Sequence, residues 1–190
     1  MRSEVLIDSR EAQAALADIN DVVARVRRSR IYDRASLIAV ACGVLVAAGN
    51  VANFLMPVYW SAIWITVNAL NVVAVAAVSF IDYPKTGVRS FDFRVLAAFL
   101  MFFGFGLLCT QVLGHFGGRQ QGTFWPIYFM LFYCLAGLWF GRAFLAIGLS
   151  IIALTLIGYF FIGGPLFLLW MAAVNGGGLV LSGFWMRWGE

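Results

Sequence analysis

The sequence predicts an all-α polytopic membrane protein, a six-helix transmembrane bundle preceded by an amphipathic cytoplasmic N-terminal helix. Three observations predict it. The 190-residue chain is 63% hydrophobic and 12% charged, whereas a soluble domain is roughly half apolar and a quarter charged. Its apolar residues gather in six runs, each long enough at about 1.5 Å per residue to cross roughly 30 Å of hydrocarbon. Its basic residues sort to one side of those runs, as the positive-inside rule requires. A transmembrane barrel needs strands of about ten residues with alternating polarity, a pattern this chain lacks.

Residues 1–34 form a polar N-terminal segment with an Arg-rich stem. Within it, residues 3–30 read as an amphipathic helix. Asp8 and Glu11 have the spacing of a capping box, and Leu16, Ile19, Val23 and Val26 recur at intervals of three and four, on one face. Acidic Glu11, Asp18 and Asp21 come early and Arg25, Arg27, Arg28 and Arg30 late, the order that suits a helix dipole. Arg25, Arg27, Arg28, Arg30 and Arg34 are candidates for contact with lipid headgroups or with a partner. The helix has three readings: it lies on the inner leaflet, packs under the bundle, or docks a cytosolic protein. Residues 1–34 lack the apolar segment and small-residue cleavage site of a signal peptide, so the first span is expected to act as its own insertion signal.

The six spans are expected at 35–54, 62–81, 95–114, 125–141, 143–162 and 165–186, followed by a cytoplasmic tail at 187–190. With the N-terminus inside, every Lys and Arg except Arg119 falls on the cytoplasmic side. That distribution also fixes an even number of spans, because an odd number would scatter the charges. The expected location is a bacterial inner membrane, with both termini cytoplasmic. Tyr59, Trp60, Trp64, Phe124, Trp125, Trp185 and Trp188 occupy the span ends, where aromatic rings sit at headgroup level. The outer connections are short: seven or so residues from Leu55, a loop from His115, and a turn at Gly163 and Gly164.

Several chemistries are disfavoured. No Asp, Glu or Lys lies within an expected span, whereas proton-coupled transporters keep an ionisable group at depth. The chain has one histidine, His115, so a His-based zinc site is not expected, nor is a haem ligated by two histidines. No GxSxG elbow is present. Cys42, Cys109 and Cys134 all fall in apolar runs without a CxxC spacing and read as small packing residues. The formal charge of +4 serves membrane topology and gives no nucleic-acid signal. The protein is therefore expected to have no enzymatic activity, no metal and no cofactor.

What is polar at depth is amide-rich. Asn50 and Asn53 lie toward the outer end of the first span, Asn68 and Asn71 on the second, Gln111 on the third, and Asn175 in the sixth beside Gly176, Gly177 and Gly178. These six residues read either as interhelical hydrogen-bonding groups or as the lining of a polar pocket for a small neutral solute. The glycine triplet reads as close packing or as a loosened, broken helix. Gly137 with Gly141, and Gly178 with Ser182, have the small-xxx-small spacing of helix contacts, which makes a homo-oligomer an expectation.

The Arg-rich stem leading into the first span and the closing segment 169–189 (LWMAAVNGGGLVLSGFWMRWG) resemble bacterial polytopic inner-membrane proteins with a short cytoplasmic N-terminal helix. That resemblance implies no catalytic residue and no substrate. The first expectation is thus a non-enzymatic binding or regulatory membrane protein, in contact with lipids and with a cytosolic partner through residues 3–30. The alternative is a small permease or channel-like oligomer lined by the asparagines.

Overall fold

A computed structural model of the chain describes residues 9–81, 93–114 and 116–188. All regular structure among them is helical. In chain order the elements are α1 (Ser9–Leu55), a 3-10 turn (Pro57–Tyr59), α2 (Trp60–Ile81), α3 (Phe93–Val112), α4 (Gly118–Phe140) and α5 (Arg142–Phe161). A broken last helix follows: α6 (Leu166–Met171), a π-helical turn (Ala172–Gly177) and α7 (Gly178–Trp188).

Five helical segments are long and apolar enough to cross a membrane: Tyr32–Leu55, Pro57–Val78, Gly118–Trp139, Arg142–Phe161 and Leu166–Trp188. They make this a helical membrane-type bundle. The third expected span coincides with α3, whose described apolar part, Leu100–Val112, is shorter.

Two element boundaries differ from the sequence expectation. The N-terminal helix and the first span are a single helix, with no break at the Arg-rich stem. Helix propensity explains the continuity: nothing from Arg10 to Leu55 is Pro, and Arg and Ala favour the helix through the change from polar to apolar surroundings. The second outer loop is also shorter than expected, because α4 starts at Gly118. Gln120 Oε1 accepts a 2.8 Å bond from the Gly117 N–H and closes the first turn. Asp8, residues 82–92 and His115 lie outside the described residues.

Close contacts set the helix directions. Ser36 donates a 2.7 Å hydrogen bond to the Gly183 carbonyl, while Gly43 and Ala47 both abut Gly176. Position numbers rise along α1 as they fall along the last helix, so the two are antiparallel. In the same way Gly49 meets Val67, Gly137 meets Leu145, Gly148 meets Cys134, and Gly158 meets Trp170. Consecutive hairpins α1–α2, α4–α5 and α5–α6 are therefore antiparallel as well. The core is shared by α1, α4, α5 and the last helix, through Ala39, Met130, Phe144, Ile147, Ile151, Val174, Leu179 and Met186.

α3 is held at longer range by aromatic rings. Phe102 stacks on Tyr128 with centroids 4.2 Å apart, and Phe103 stacks on Trp125 at 5.4 Å. The Tyr128 hydroxyl donates a 2.7 Å bond to the Phe102 carbonyl. Large rings between two helix axes keep the backbones apart, whereas small residues between α1 and the last helix let them touch.

Candidate functional site

The polar interior centres on the break in the last helix. A π-helical turn leaves backbone groups off the regular ladder, and such turns recur at functional positions. Here it spans Ala172–Gly177 and carries buried Asn175. Thr155, fully buried on α5, donates to Asn175 Oδ1 at 3.4 Å, and Asn175 Nδ2 donates to the Met171 sulfur at 3.4 Å. The bond from Thr155 is long for an O–H···O contact, and the thioether that takes the amide N–H is a weak acceptor. The amide keeps hydrogen-bonding capacity in a stretch where Met171, Ala172 and Val174 are buried too.

The glycine triplet combines the two roles the sequence leaves open. Gly176 brings the turn onto the α1 backbone at Ala47, and its own carbonyl lies against Gly43. Gly177 has open space beside it. The last helix is thus broken and tightly packed at the same place.

Arg119 stands near the start of α4. Its guanidinium donates to the Tyr159 and Gly158 carbonyls in the last turn of α5. It also lies over the Phe167 ring at 4.8 Å and the Tyr159 ring at 5.4 Å. A cation there adds a donor to the Gly158 carbonyl, which already accepts from the Ile162 N–H, supplies one to the Tyr159 carbonyl, and complements the negative end of the α5 dipole. Thr123, one turn on, is buried and donates to the Arg119 carbonyl at 2.9 Å.

At the opposite end of the bundle, Tyr32 on α1 has its hydroxyl against Gly141, in the turn between α4 and α5. Its ring meets Phe144 at 5.3 Å, and Phe144 in turn meets Tyr133 at 5.9 Å. Gly141 has φ +138°, which strains any other residue. The base of the N-terminal helix is thereby keyed to the α4–α5 elbow.

No hydrogen bond joins any two of the six amide candidates among the described residues. Asn50 is buried on α1 and donates to the Val46 carbonyl of its own helix at 2.9 Å. Asn53 is half-buried near the end of α1. Asn68 is exposed on α2 and donates to the Trp64 carbonyl at 2.8 Å. Asn71 is half-buried, and its Oδ1 is enclosed without a hydrogen-bond partner. Gln111 is exposed at the end of α3, and Asn175 alone enters the α5–π-turn contact. Arg34 is half-buried at the base of the first span. Arg25, Arg27, Arg28 and Arg30 lie on α1, and their side chains are outside the described residues. Among the described residues, no cluster of His, Cys, Asp and Glu forms a metal-sized site, and all three thiols are free.

Sequence reasoning missed Thr155 and Thr123. A lone threonine in an apolar run gives little signal, because its partner sits on another helix.

No protein-family model matches this chain, and no curated protein or solved structure does. The functional reading therefore rests on the geometry above.

Proposed function

We propose that the chain is a six-span protein of the bacterial inner membrane, with both termini cytoplasmic, acting as a non-enzymatic binding or regulatory protein. The observation that carries this is the continuity of α1. It leaves the first span at Tyr32 and runs on to Ser9 without a break, a helical extension of about 35 Å at 1.5 Å per residue. Leu16 and Ile19 on that extension are 60% and 57% exposed. The extension is rigidly joined to the core, because Tyr32, Ser36 and Ala39 of the same helix contact the α4–α5 elbow and α7. A protein bound to the extension would thus be coupled mechanically to the bundle. A helix continuous with a span also favours a protein partner over a leaflet-lying role, which needs a sharp bend at the stem. Arg25, Arg27, Arg28, Arg30 and Arg34 then supply the headgroup contacts at its base.

The test is deletion of residues 1–30. The expected result is a chain that still inserts and unfolds cooperatively but no longer retains cytosolic proteins held by the full-length form. Undiminished retention would refute the proposal.

One observation favours a second reading, a small permease or channel-like oligomer for neutral solutes. Asn175 is a buried amide with two weak partners at a helix break, the kind of site where discontinuous helices bind solute. Swelling of proteoliposomes in glycerol or urea gradients, lost in Asn175→Leu, would support this reading over the first.

A further inference from the structure

The small-xxx-small pairs that suggest self-association are already occupied within one chain. Gly137 lies against the Leu145 backbone, Gly178 against Ile151, and Ser182 is buried with its hydroxyl on the Leu179 carbonyl. A different surface is exposed. α2 packs along α1 through Val67, which sits over Gly49. On its flank Ser61, Ile65, Asn68, Val72 and Val75 recur at intervals of four, three, four and three, and all are exposed. At 100° per residue they fill a stripe roughly 80–160° around α2 from Val67, clear of the α1 contact.

That spacing is the heptad seam of a left-handed helix pair. Its centre is an amide some 12 Å into the helix from Trp60, at 1.5 Å per residue. Asn68 uses one N–H on the Trp64 carbonyl of its own helix. The second N–H and the Oδ1 of this exposed side chain make no other hydrogen bond among the described residues, and at that depth lipid offers no partner. An amide carries a positive and a negative end, so its electrostatic complement is another amide turned through a two-fold axis. Copies inserted with the same topology are related by an axis along the membrane normal, which sets α2 parallel to its mate at equal depth. Asn68 then faces Asn68, and each Oδ1 accepts the other's free N–H. A single central Asn flanked by β-branched Ile65 and Val72 also fixes register.

We infer that a second copy of this chain docks along the Ser61–Ile65–Asn68–Val72–Val75 stripe of α2, locked by a reciprocal Asn68 amide pair. The inference rests on the multi-pass membrane reading and is independent of what the protein binds.

Single cysteines at Ile65, Val72, Leu70 and Val73 test it, in native membranes treated with copper–phenanthroline and with the unsubstituted chain as the baseline for Cys42, Cys109 and Cys134. All four positions are exposed, but only the first two lie on the seam. The expected result is a covalent dimer from Ile65→Cys and Val72→Cys well above Leu70→Cys and Val73→Cys. Asn68→Val should weaken dimerisation about 3- to 30-fold, the range for an interhelical amide bond, and Asn68→Gln should restore part of it. Equal cross-linking at all four sites, strongest cross-linking at Leu70 or Val73, or an unchanged dimer in Asn68→Val would each overturn the inference. Alkaline carbonate extraction of the same membranes separates the two premises: release of the chain refutes membrane insertion, and retention with uniform cross-linking refutes the seam alone.

Discussion

Gly176 has no room for added volume against the α1 backbone, and Gly176→Ala tests that packing directly. A Cβ at position 176 would stand 2.6 Å from both the Cα and the N of Ala47. Carbon contacts are most favourable at about 3.5–4.0 Å, so α1 and the last helix must separate by about 1 Å. These are backbone atoms of a long helix, which cannot swing aside as a side-chain tip can. Opening the seam also draws Val180 from Gly43 and stretches the Ser36–Gly183 hydrogen bond. Overpacking together with loss of that bond should cost about 2–4 kcal/mol. Gly177→Ala is the matched control, since nothing lies within 4 Å of its added carbon and alanine gains up to about 1 kcal/mol of helix propensity. Unfolding by SDS titration in mixed micelles, followed by tryptophan fluorescence, measures both. If Gly176→Ala came within about 0.5 kcal/mol of Gly177→Ala, the α1–last-helix contact would not be as close as described.

Other expectations follow from single contacts. Thr155→Val should destabilise the bundle by about 1–2 kcal/mol by stranding the Asn175 amide, and Thr155→Val with Asn175→Leu should cost less than the sum of the two single changes, measured by the same titration as a double-mutant cycle. Arg119→Leu should cost about 1–3 kcal/mol through loss of the α5 cap and the two ring contacts, with Arg119→Lys intermediate because an ammonium reaches fewer carbonyls. Hydrogen exchange should then rise at the α5 C-terminus. Tyr128→Phe should lower stability by about 1 kcal/mol through loss of its bond to the Phe102 carbonyl, and α3 amides should exchange faster than those of α5. Impermeant thiol labelling should modify Gln120→Cys from outside intact cells and Arg187→Cys only after lysis; the reverse pattern would overturn the cytoplasmic assignment of the termini.

Much of the architecture was legible in the sequence. Apolar run length revealed the spanning helices because lipid offers the backbone no hydrogen bonds, so each segment must satisfy its own. The closeness at Gly137 was legible from its GxxxG spacing, whereas the glycine triplet after Asn175 left close packing and a broken helix as alternatives. The seam of Ser36, Ala39, Gly43 and Ala47 carried a signal too, small residues at intervals of three and four, but it stood in an alanine-rich run where many spacings compete. The unbroken α1 was obscured by the change in polarity at the stem, which reads as a boundary although the backbone has no reason to stop there.

What the sequence by itself determined was the class of protein: helices long and apolar enough for lipid, in runs set off by polar residues. These depend on composition within one stretch of chain. Only the tertiary structure decided how the polar side chains at depth are used. Asn175 meets Thr155 twenty positions away, Arg119 caps a helix forty positions on, and Ser36 reaches Gly183 across nearly the whole chain. Asn50 and Asn68 carry the same amide and instead bond within their own helices. The difference lies in which helix faces which, and it arises from packing between small surfaces that are distant in sequence.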